Sequence, residues 1–132
     1  MAIDDSSTVR KIVEASLGCA GYPVISFPDG VAALRWLAEG NCPVPKLVLL
    51  DIGLPKIDGY TLACMMRVKP ALRETTIIMM SRRDGLVDRL KGRLAGAQAY
   101  IAKPFKKEEL VKMVNHYLSG GANVRFGKVQ AR

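Results

Sequence analysis

The sequence of 132 residues has no long hydrophobic run and few residues suited to thiol chemistry. No apolar stretch approaches the ~20 residues that a membrane-spanning helix needs, and no charged start followed by an apolar segment marks a signal peptide. We therefore expect a cytoplasmic protein. The cysteines, Cys19, Cys42 and Cys64, are odd in number and lack zinc-ligand spacing, which excludes a disulfide framework and favours reduced thiols. Cys19 and Cys64 are expected in the core, and Cys42 in a loop.

Histidine and aromatic residues are scarce as well. The single histidine, His116, has no partner nearby in the sequence, so we expect it at the surface rather than as a ligand or base. The net charge is +8, and residues 1–81 hold eight basic and eight acidic residues, whereas residues 82–132 hold twelve and four. No stacking aromatic residues are interleaved with the basic ones, so nucleic-acid binding is not expected. An acidic protein partner accounts for the basic half at least as well.

Hydrophobic residues make up 49% of the chain, enough for one domain with a real core. Their spacing alternates five times between strand and helix. Strands are predicted at residues 1–4, 22–27, 47–50, 76–80 and 99–102. This order predicts an α/β fold, a single parallel sheet covered by helices on both faces. Residues 1–118 form the predicted domain, and residues 119–132 are predicted to be a flexible basic tail.

Polar side chains follow four of the five predicted strands. They are Asp4 and Asp5 after the first, Asp51 after the third, Ser81 after the fourth and Lys103 after the fifth. A lone Asp after a strand is usually a turn or cap residue, but here the whole set falls at one edge of the sheet. In open α/β sheets, ligands bind in the crevice beyond the carboxyl ends of the strands. The sequence therefore predicts a functional crevice at this edge.

The residue types in this crevice are suited to phosphoryl chemistry. Three carboxylates repel one another unless a pKa rises or a hard cation binds, and Mg²⁺ prefers such oxygen ligands. Lys103 as a point charge and Ser81 as a hydrogen-bond donor would complete a phosphoryl-binding cage. A central carboxylate, Asp51, can attack phosphorus and hold the phosphoryl group as an acyl phosphate.

Four segments together resemble a known family, the CheY-like receiver domains of bacterial response regulators. The segments are IDDS with Asp4 and Asp5, DIGLPKIDG with Asp51, Ser81 thirty residues later, and YIAKPF with Lys103. The resemblance covers residues 1–118. It implies a flavodoxin-like (βα)5 fold with a five-stranded, doubly wound parallel sheet in the order 2-1-3-4-5. Residues 81–105 are most similar to receivers of the type IV pilus twitching-motility chemosensory system.

The resemblance also implies the role of each acid in the crevice. Asp51 would accept a phosphoryl group from the phosphohistidine of a kinase. Asp5, Asp51 and the carbonyl of Gly53 would bind Mg²⁺, and Asp4 would act through a metal-bound water. The protein would phosphorylate and dephosphorylate only itself, so it would not be an enzyme with a separate substrate.

A switch and an output surface are implied in the same way. Ser81 and Tyr100 would form the switch beside Lys103, and the Lys103–Pro104 peptide bond would be cis. The partner would bind the face formed by the fourth helix, fifth strand and fifth helix, whose candidate basic residues are Arg89, Lys91, Arg93, Lys107 and Lys112.

Three features depart from the family pattern. The first strand has almost no residues before Asp4, and the basic tail has no counterpart. The residue after the switch hydroxyl is usually small, whereas here it is Arg82. A guanidinium at this position could contact the phosphoryl group or shield it from water.

Two other interpretations remain open, and two more do not fit the sequence. The chain could be a receiver-like adaptor that binds partners without phosphorylation, or the receiver fragment of a larger regulator. A haloacid dehalogenase phosphatase would need D-x-D after its first strand, whereas Asp4 and Asp5 are adjacent. A flavodoxin-like redox module would need a phosphate-cradling loop where acids stand here.

Overall fold

Strands and helices alternate along the whole of the described chain. The structure, a computed structural model, describes residues 1–82 and 86–119, and for residues 86–88 it describes the backbone alone. The strands are β1 Ala2–Ile3, β2 Ser26–Phe27, β3 Leu47–Asp51, β4 Thr76–Ser81 and β5 Ala99–Ala102. The helices are α1 Ser7–Cys19, α2 Gly30–Ala38, α3 Gly59–Arg67, α4 Leu86–Leu94 and α5 Lys107–Leu118. A short 3₁₀ helix, Pro70–Leu72, precedes β4.

All five strands belong to one parallel sheet in the order β2-β1-β3-β4-β5. The strand order that the family resemblance implies is therefore confirmed. Asp51 pairs with Met80, and Ser81 pairs with Ala102, so the carboxyl ends of β3, β4 and β5 lie at one edge. We call this edge, with Asp4 and Asp5 after β1, the carboxyl edge.

The core has one layer on each face of the sheet. Leu47 and Leu49 of β3 pack in the layer that includes residues of α1 and α5. Val48 and Leu50 pack in the opposite layer with residues of α2 and α3. Successive side chains of a strand point to opposite faces, so a strand buried on both faces must be apolar throughout. The run LVLL therefore becomes the central strand.

The first turns of α1, α2 and α3 are capped by side chains. Ser6 caps α1 and accepts from the Val9 N–H at 3.2 Å. Asp29 caps α2 and accepts the Ala32 N–H at 2.8 Å. Asp58 caps α3 and accepts the Thr61 N–H at 2.9 Å. These caps satisfy backbone donors that the first turn leaves without partners.

The prediction that Cys19 and Cys64 fill the core is wrong, because both are exposed. Each lies two positions after a buried leucine, Leu17 in α1 and Leu62 in α3. Two positions on a helix turn the side chain by about 200°, which places it on the opposite, solvent-facing side. Cysteine is apolar enough for the core, but its residue type does not show which side of a helix it lies on.

The second strand is shorter than predicted, since only Ser26–Phe27 of residues 22–27 form β2. Its neighbour β1 has only two residues, and Ile25 accepts one hydrogen bond, from the Ala2 N–H at 2.9 Å. A strand needs a paired neighbour along its length, and β1 does not extend that far.

The leucines of α4 do not mark its buried side. Leu90 is 55% exposed and Leu94 is 79% exposed, whereas Gly92 and Ala95 are buried.

Within residues 1–82 and 86–119, no helix has the length and apolar character needed to cross a membrane.

Candidate functional site

Asp51 is the last residue of β3 and only 8% exposed. The sequence predicted Asp51 directly after the strand, whereas the strand is one residue longer and includes it. Beyond it, the Ile52 N–H donates to the Met80 carbonyl at 3.1 Å. The Lys103 N–H donates to the Ser81 carbonyl at 2.8 Å. The backbone ladder thus continues past the strand ends and holds Asp51, Ser81 and Lys103 side by side at the carboxyl edge.

Three carboxylates converge at this edge. One oxygen each from Asp4, Asp5 and Asp51 lies within 4.8 Å of the others. Asp4 follows β1 and is buried, and its N–H donates to the Phe27 carbonyl at 3.1 Å. Asp5 is exposed. The adjacent acids therefore present one carboxylate inside the crevice and one at its mouth.

Lys103 joins two of these carboxylates. Its Nζ donates to Asp4 Oδ2 at 2.5 Å and to Asp51 Oδ1 at 3.1 Å. The second oxygen of Asp4, Oδ1, accepts the Ser6 N–H at 2.9 Å. Both oxygens of Asp4 are thus engaged, which holds this carboxylate in one orientation.

Sequence reasoning missed Arg10 of α1, which supports the same segment. Its Nη1 donates to the backbone carbonyl of Asp4 at 2.7 Å. A bond to a backbone carbonyl requires no particular residue at the acceptor position, so the sequence carries no signal for it. Arg10 and the Ser6 N–H together hold the turn that presents Asp4.

The electrostatic environment opposes ionisation of Asp51. Burial raises the pKa of this carboxyl, and the negative charges of Asp4 and Asp5 raise it further, while Lys103 only partly offsets these effects. Burial alone would lower the pKa of Lys103, but its hydrogen bond to Asp4 and the charges of Asp51 and Asp4 raise it overall. Lys103 therefore remains a cation beside carboxylates that repel one another.

The donor set fits Mg²⁺. Three carboxylates face one ammonium group, which leaves an excess of two negative charges when all are ionised. A divalent hard cation neutralises that excess, and all available side-chain ligands are oxygens. Asp5 and Asp51 could hold it directly, and Gly53, exposed two residues after β3, offers a backbone carbonyl.

The loop after β3 is held close to the site by Gly59, the first residue of α3. The Gly59 N–H donates to the Ile52 carbonyl at 2.9 Å. A Cβ atom at position 59 would lie 2.4 Å from the Asp51 carbonyl oxygen and 2.8 Å from the Ile52 Cα. Only glycine permits this approach. The residue type at position 59 does not by itself reveal this contact with Asp51.

The two proposed switch residues lie on neighbouring strands. Ser81 is buried at the end of β4, and Tyr100 is half-buried on β5. The Tyr100 ring lies against α4, since a Cβ atom on Gly92 would be 3.6 Å from it. The Lys103–Pro104 peptide bond is cis, as the resemblance implies. Arg82, directly after Ser81, is exposed.

The remaining predicted surface residues are also accessible. His116 is exposed on α5. We define the α4–β5–α5 face by its five exposed basic residues, Arg89, Lys91, Arg93, Lys107 and Lys112. Lys91 differs from the other four residues, because its Nζ lies 5.9 Å from the centre of the Tyr60 ring in α3.

Comparison with known proteins identifies this arrangement. Residues 1–115 match the family model of the response regulator receiver domain. The chain is 38% identical over 118 residues to Protein PilG of Pseudomonas aeruginosa, covering 89% of this chain and 85% of PilG. It is 28% identical to the chemotaxis response regulator CheY4 of Vibrio cholerae, with a TM-score of 0.80 over 89% of this chain and 95% of that one.

This chain matches only part of a longer relative. The probable transcriptional regulator ycf27 of Porphyridium aerugineum is 36% identical over 118 residues, which are 89% of this chain and 47% of that protein. The chain therefore spans most of PilG and CheY4 but less than half of this regulator.

Proposed function

This chain belongs to the response regulator receiver domain family, and on that premise we propose that Asp51 accepts a phosphoryl group from a histidine kinase or phosphotransfer domain. The observation that carries the proposal is the Asp51 carboxylate, buried at the end of β3 between two other acids and the ammonium of Lys103. We place the protein in the cytoplasm, where it acts as a phosphorylation-dependent switch of a two-component phosphorelay.

Transfer forms one bond and breaks one bond. A carboxylate oxygen of Asp51 attacks phosphorus, the new P–O bond makes an acyl phosphate, and the bond from phosphorus to the donor imidazole nitrogen breaks with its electron pair on nitrogen. In the second half of the cycle, water attacks phosphorus, the bond from phosphorus to the Asp51 oxygen breaks with its electron pair on that oxygen, and the carboxylate and inorganic phosphate are released. The protein acts on its own side chain only, so it is not an enzyme with a separate substrate.

The chain's own residues bind and orient the phosphoryl group. Lys103, held near Asp51 at 3.1 Å, supplies a positive charge to the phosphoryl oxygens. Ser81 supplies a hydroxyl donor from the neighbouring strand end. Asp5, Asp51 and the Gly53 carbonyl would hold Mg²⁺, with Asp4 beside them. When bound, this ion neutralises negative charge on the phosphoryl oxygens.

The switch acts through Ser81 and Tyr100. The Ser81 hydroxyl moves toward the phosphoryl group, and the Tyr100 ring turns inward. The Tyr100 ring lies against Gly92 of α4, so its movement changes the α4–β5–α5 face. An output protein, acidic where it meets the basic residues of that face, binds there.

The pathway is chemosensory. CheY4 of Vibrio cholerae is described as a chemotaxis response regulator, and the resemblance of residues 81–105 favours the twitching-motility branch. A second candidate is the receiver of a longer regulator, because the chain spans 47% of the ycf27 protein.

Intact-protein mass spectrometry after incubation with acetyl phosphate and Mg²⁺ tests the proposal. We expect one phosphoryl group on the wild type and none on Asp51→Asn. Asp58→Asn is the matched control, since Asp58 lies outside the acidic cluster and asparagine also caps helices well. It should be labelled as the wild type is.

Equal labelling of Asp51→Asn would overturn the assignment of Asp51. A wild type that takes up no phosphoryl group from acetyl phosphate or from a phosphorylated kinase would favour an adaptor that works without phosphorylation.

A further inference from the structure

An apolar cavity of about 450 Å³ lies at the edge of the sheet opposite the carboxyl edge. Its walls include Val24, Ile25, Trp36, Val44, Leu47 and Leu118. Val44 is 50% exposed and Ile25 is 37% exposed, so solvent reaches large apolar side chains here. Accessible apolar surface of this kind marks a binding site more often than an isolated exposed leucine does. We call it the amino-edge cavity.

The cavity lies where the sheet is narrow. β1 pairs with Leu49 and Leu50 of β3, and before β1 the amino group of Met1 donates to the Leu47 carbonyl at 2.9 Å. On the other side of β1, residues 22–25 are outside β2. Val24, Ile25 and Met1 therefore line the cavity together with Leu47 at the start of β3. An extended apolar segment has the shape to lie along such an edge.

The chain leaves its last helix at the rim of this cavity. α5 ends at Leu118, which is one of the wall residues, and Ser119 is the last described residue. Residues 120–132, with the sequence GGANVRFGKVQAR, follow. Phe126 is seven positions after Ser119, and an extended chain of that length spans roughly 23 Å. Gly120 and Gly121 allow the backbone to reverse direction without a steric cost.

The segment carries apolar residues at alternate positions. Val124 and Phe126 flank Arg125, so an extended backbone directs the two apolar side chains to one face and the guanidinium to the other. A segment that starts at the rim also has an effective concentration in the millimolar range, so modest apolar contact is enough to hold it.

We propose that residues 120–132 bind back into the amino-edge cavity, with Val124 and Phe126 against its apolar walls and Arg125 in solvent. The proposal is independent of the phosphorylation chemistry, which belongs to the other edge of the sheet. It makes the basic tail a part of the domain rather than a free extension.

The chain's single tryptophan, Trp36, lies in the cavity wall and reports on its occupancy. The experiment compares Trp36 emission, acrylamide quenching and thermal unfolding for the full chain, the chain ending at Ser119, and the full-length variants Phe126→Ala and Arg125→Ala. Truncation and Phe126→Ala should move the emission to longer wavelength, increase quenching and lower Tm by roughly 5 °C. Arg125→Ala should behave as the wild type.

A synthetic peptide of residues 120–132 added to the truncated chain should restore the emission and the protection, and the same peptide with Phe126→Ala should not. Equal emission, quenching and Tm in the full chain, the truncated chain and Phe126→Ala would overturn the proposal. Protection of Trp36 that grows with protein concentration together with a dimer in sedimentation would also overturn it, because the cavity would then bind a second copy.

Discussion

The negative charges of Asp4 and Asp5 near Asp51 outweigh the positive charge of Lys103. Burial and the charges of Asp4 and Asp5 raise the pKa of this carboxyl despite the contact with Lys103. A carboxyl whose pKa is higher in the folded than in the unfolded protein destabilises the fold once it ionises. This cost is absent below the ordinary value of 3.8, grows as the pH rises above it, and is complete above the raised pKa.

Removal of the charge should therefore stabilise the metal-free protein. We expect Asp51→Asn to raise Tm at pH 7 without Mg²⁺ by roughly 3–6 °C for each kcal/mol relieved, and the gain should disappear as the pH falls below 3.8. Mg²⁺ at ten times its Kd should stabilise the wild type by about 1.4 kcal/mol and Asp51→Asn much less. Thermal unfolding followed by circular dichroism measures both. A lower Tm for metal-free Asp51→Asn at pH 7 would contradict this explanation.

Arg82 is a second residue with a specific expected effect. Its exposed side chain follows Ser81 directly, where it can either add a charge-assisted hydrogen bond to the phosphoryl oxygens or obstruct the attacking water. Either contact prolongs the phosphorylated state. Arg82→Ala should lose its phosphoryl group about tenfold faster at saturating Mg²⁺, which corresponds to ~1.4 kcal/mol of barrier.

The control for Arg82 is Arg73→Ala, an exposed arginine just before β4 and thus at the other edge of the sheet. It should lose phosphate at the wild-type rate. If Arg82→Ala does so too, Arg82 is a surface residue without influence on hydrolysis.

At the scale of elements, the position of Asp51 depends on how closely α3 approaches β3. We expect Gly59→Ala to destabilise the protein by about 1–3 kcal/mol, because its Cβ would overlap the Asp51 carbonyl oxygen. Displacement of that backbone should also slow phosphoryl uptake. Denaturant unfolding and labelling by acetyl phosphate measure the two effects.

Gly18→Ala is the matched control for Gly59→Ala. Gly18 lies in α1, and a Cβ atom there would meet nothing within 4 Å. Alanine should stabilise this helix by about 0.5–1 kcal/mol and leave phosphoryl uptake unchanged. Equal behaviour of the two variants would show that the approach of Gly59 does not matter.

The elements themselves could largely be predicted from hydrophobic spacing. The run LVLL gave the central strand because a strand covered on both faces is apolar at every position. Asp29 and Asp58 stand directly before α2 and α3 and cap them, because capping needs a short side-chain acceptor. Both features depend on local sequence alone.

Features that depend on contacts distant in sequence could not be predicted in this way. Residues 22–25 have the composition of a strand, but a ladder requires a partner that the two residues of β1 do not provide. The bond from Arg10 to the Asp4 carbonyl leaves no trace in residue type. Cys19 was misplaced because composition does not show which side of a helix faces the sheet.

The charge of the molecule as a whole is asymmetric, and the basic residues of the α4–β5–α5 face are exposed. If this face binds an acidic partner, affinity should fall steeply as salt rises, because the Debye length is ~10 Å at 0.1 M. A fluorescent acidic peptide titrated against the wild type, Arg93→Glu and Lys112→Glu measures this. Both variants should bind more weakly, whereas Lys11→Glu on α1 should match the wild type.

Salt-independent binding of the peptide would contradict an electrostatic contact at this face. Tight binding of a DNA duplex at physiological salt would show that the basic half recognises nucleic acid instead.

The proposed switch depends on a single acyl phosphate at Asp51. The most direct measurement is to phosphorylate the protein with acetyl phosphate and Mg²⁺, reduce it with borohydride, and locate the product by tandem mass spectrometry. Reduction converts an aspartyl phosphate to homoserine, so the modified position identifies the phosphorylated residue. We predict homoserine at position 51 alone. Homoserine at the position of Asp4, Asp5 or Asp58, or at no position in protein that has taken up phosphate, would contradict the account.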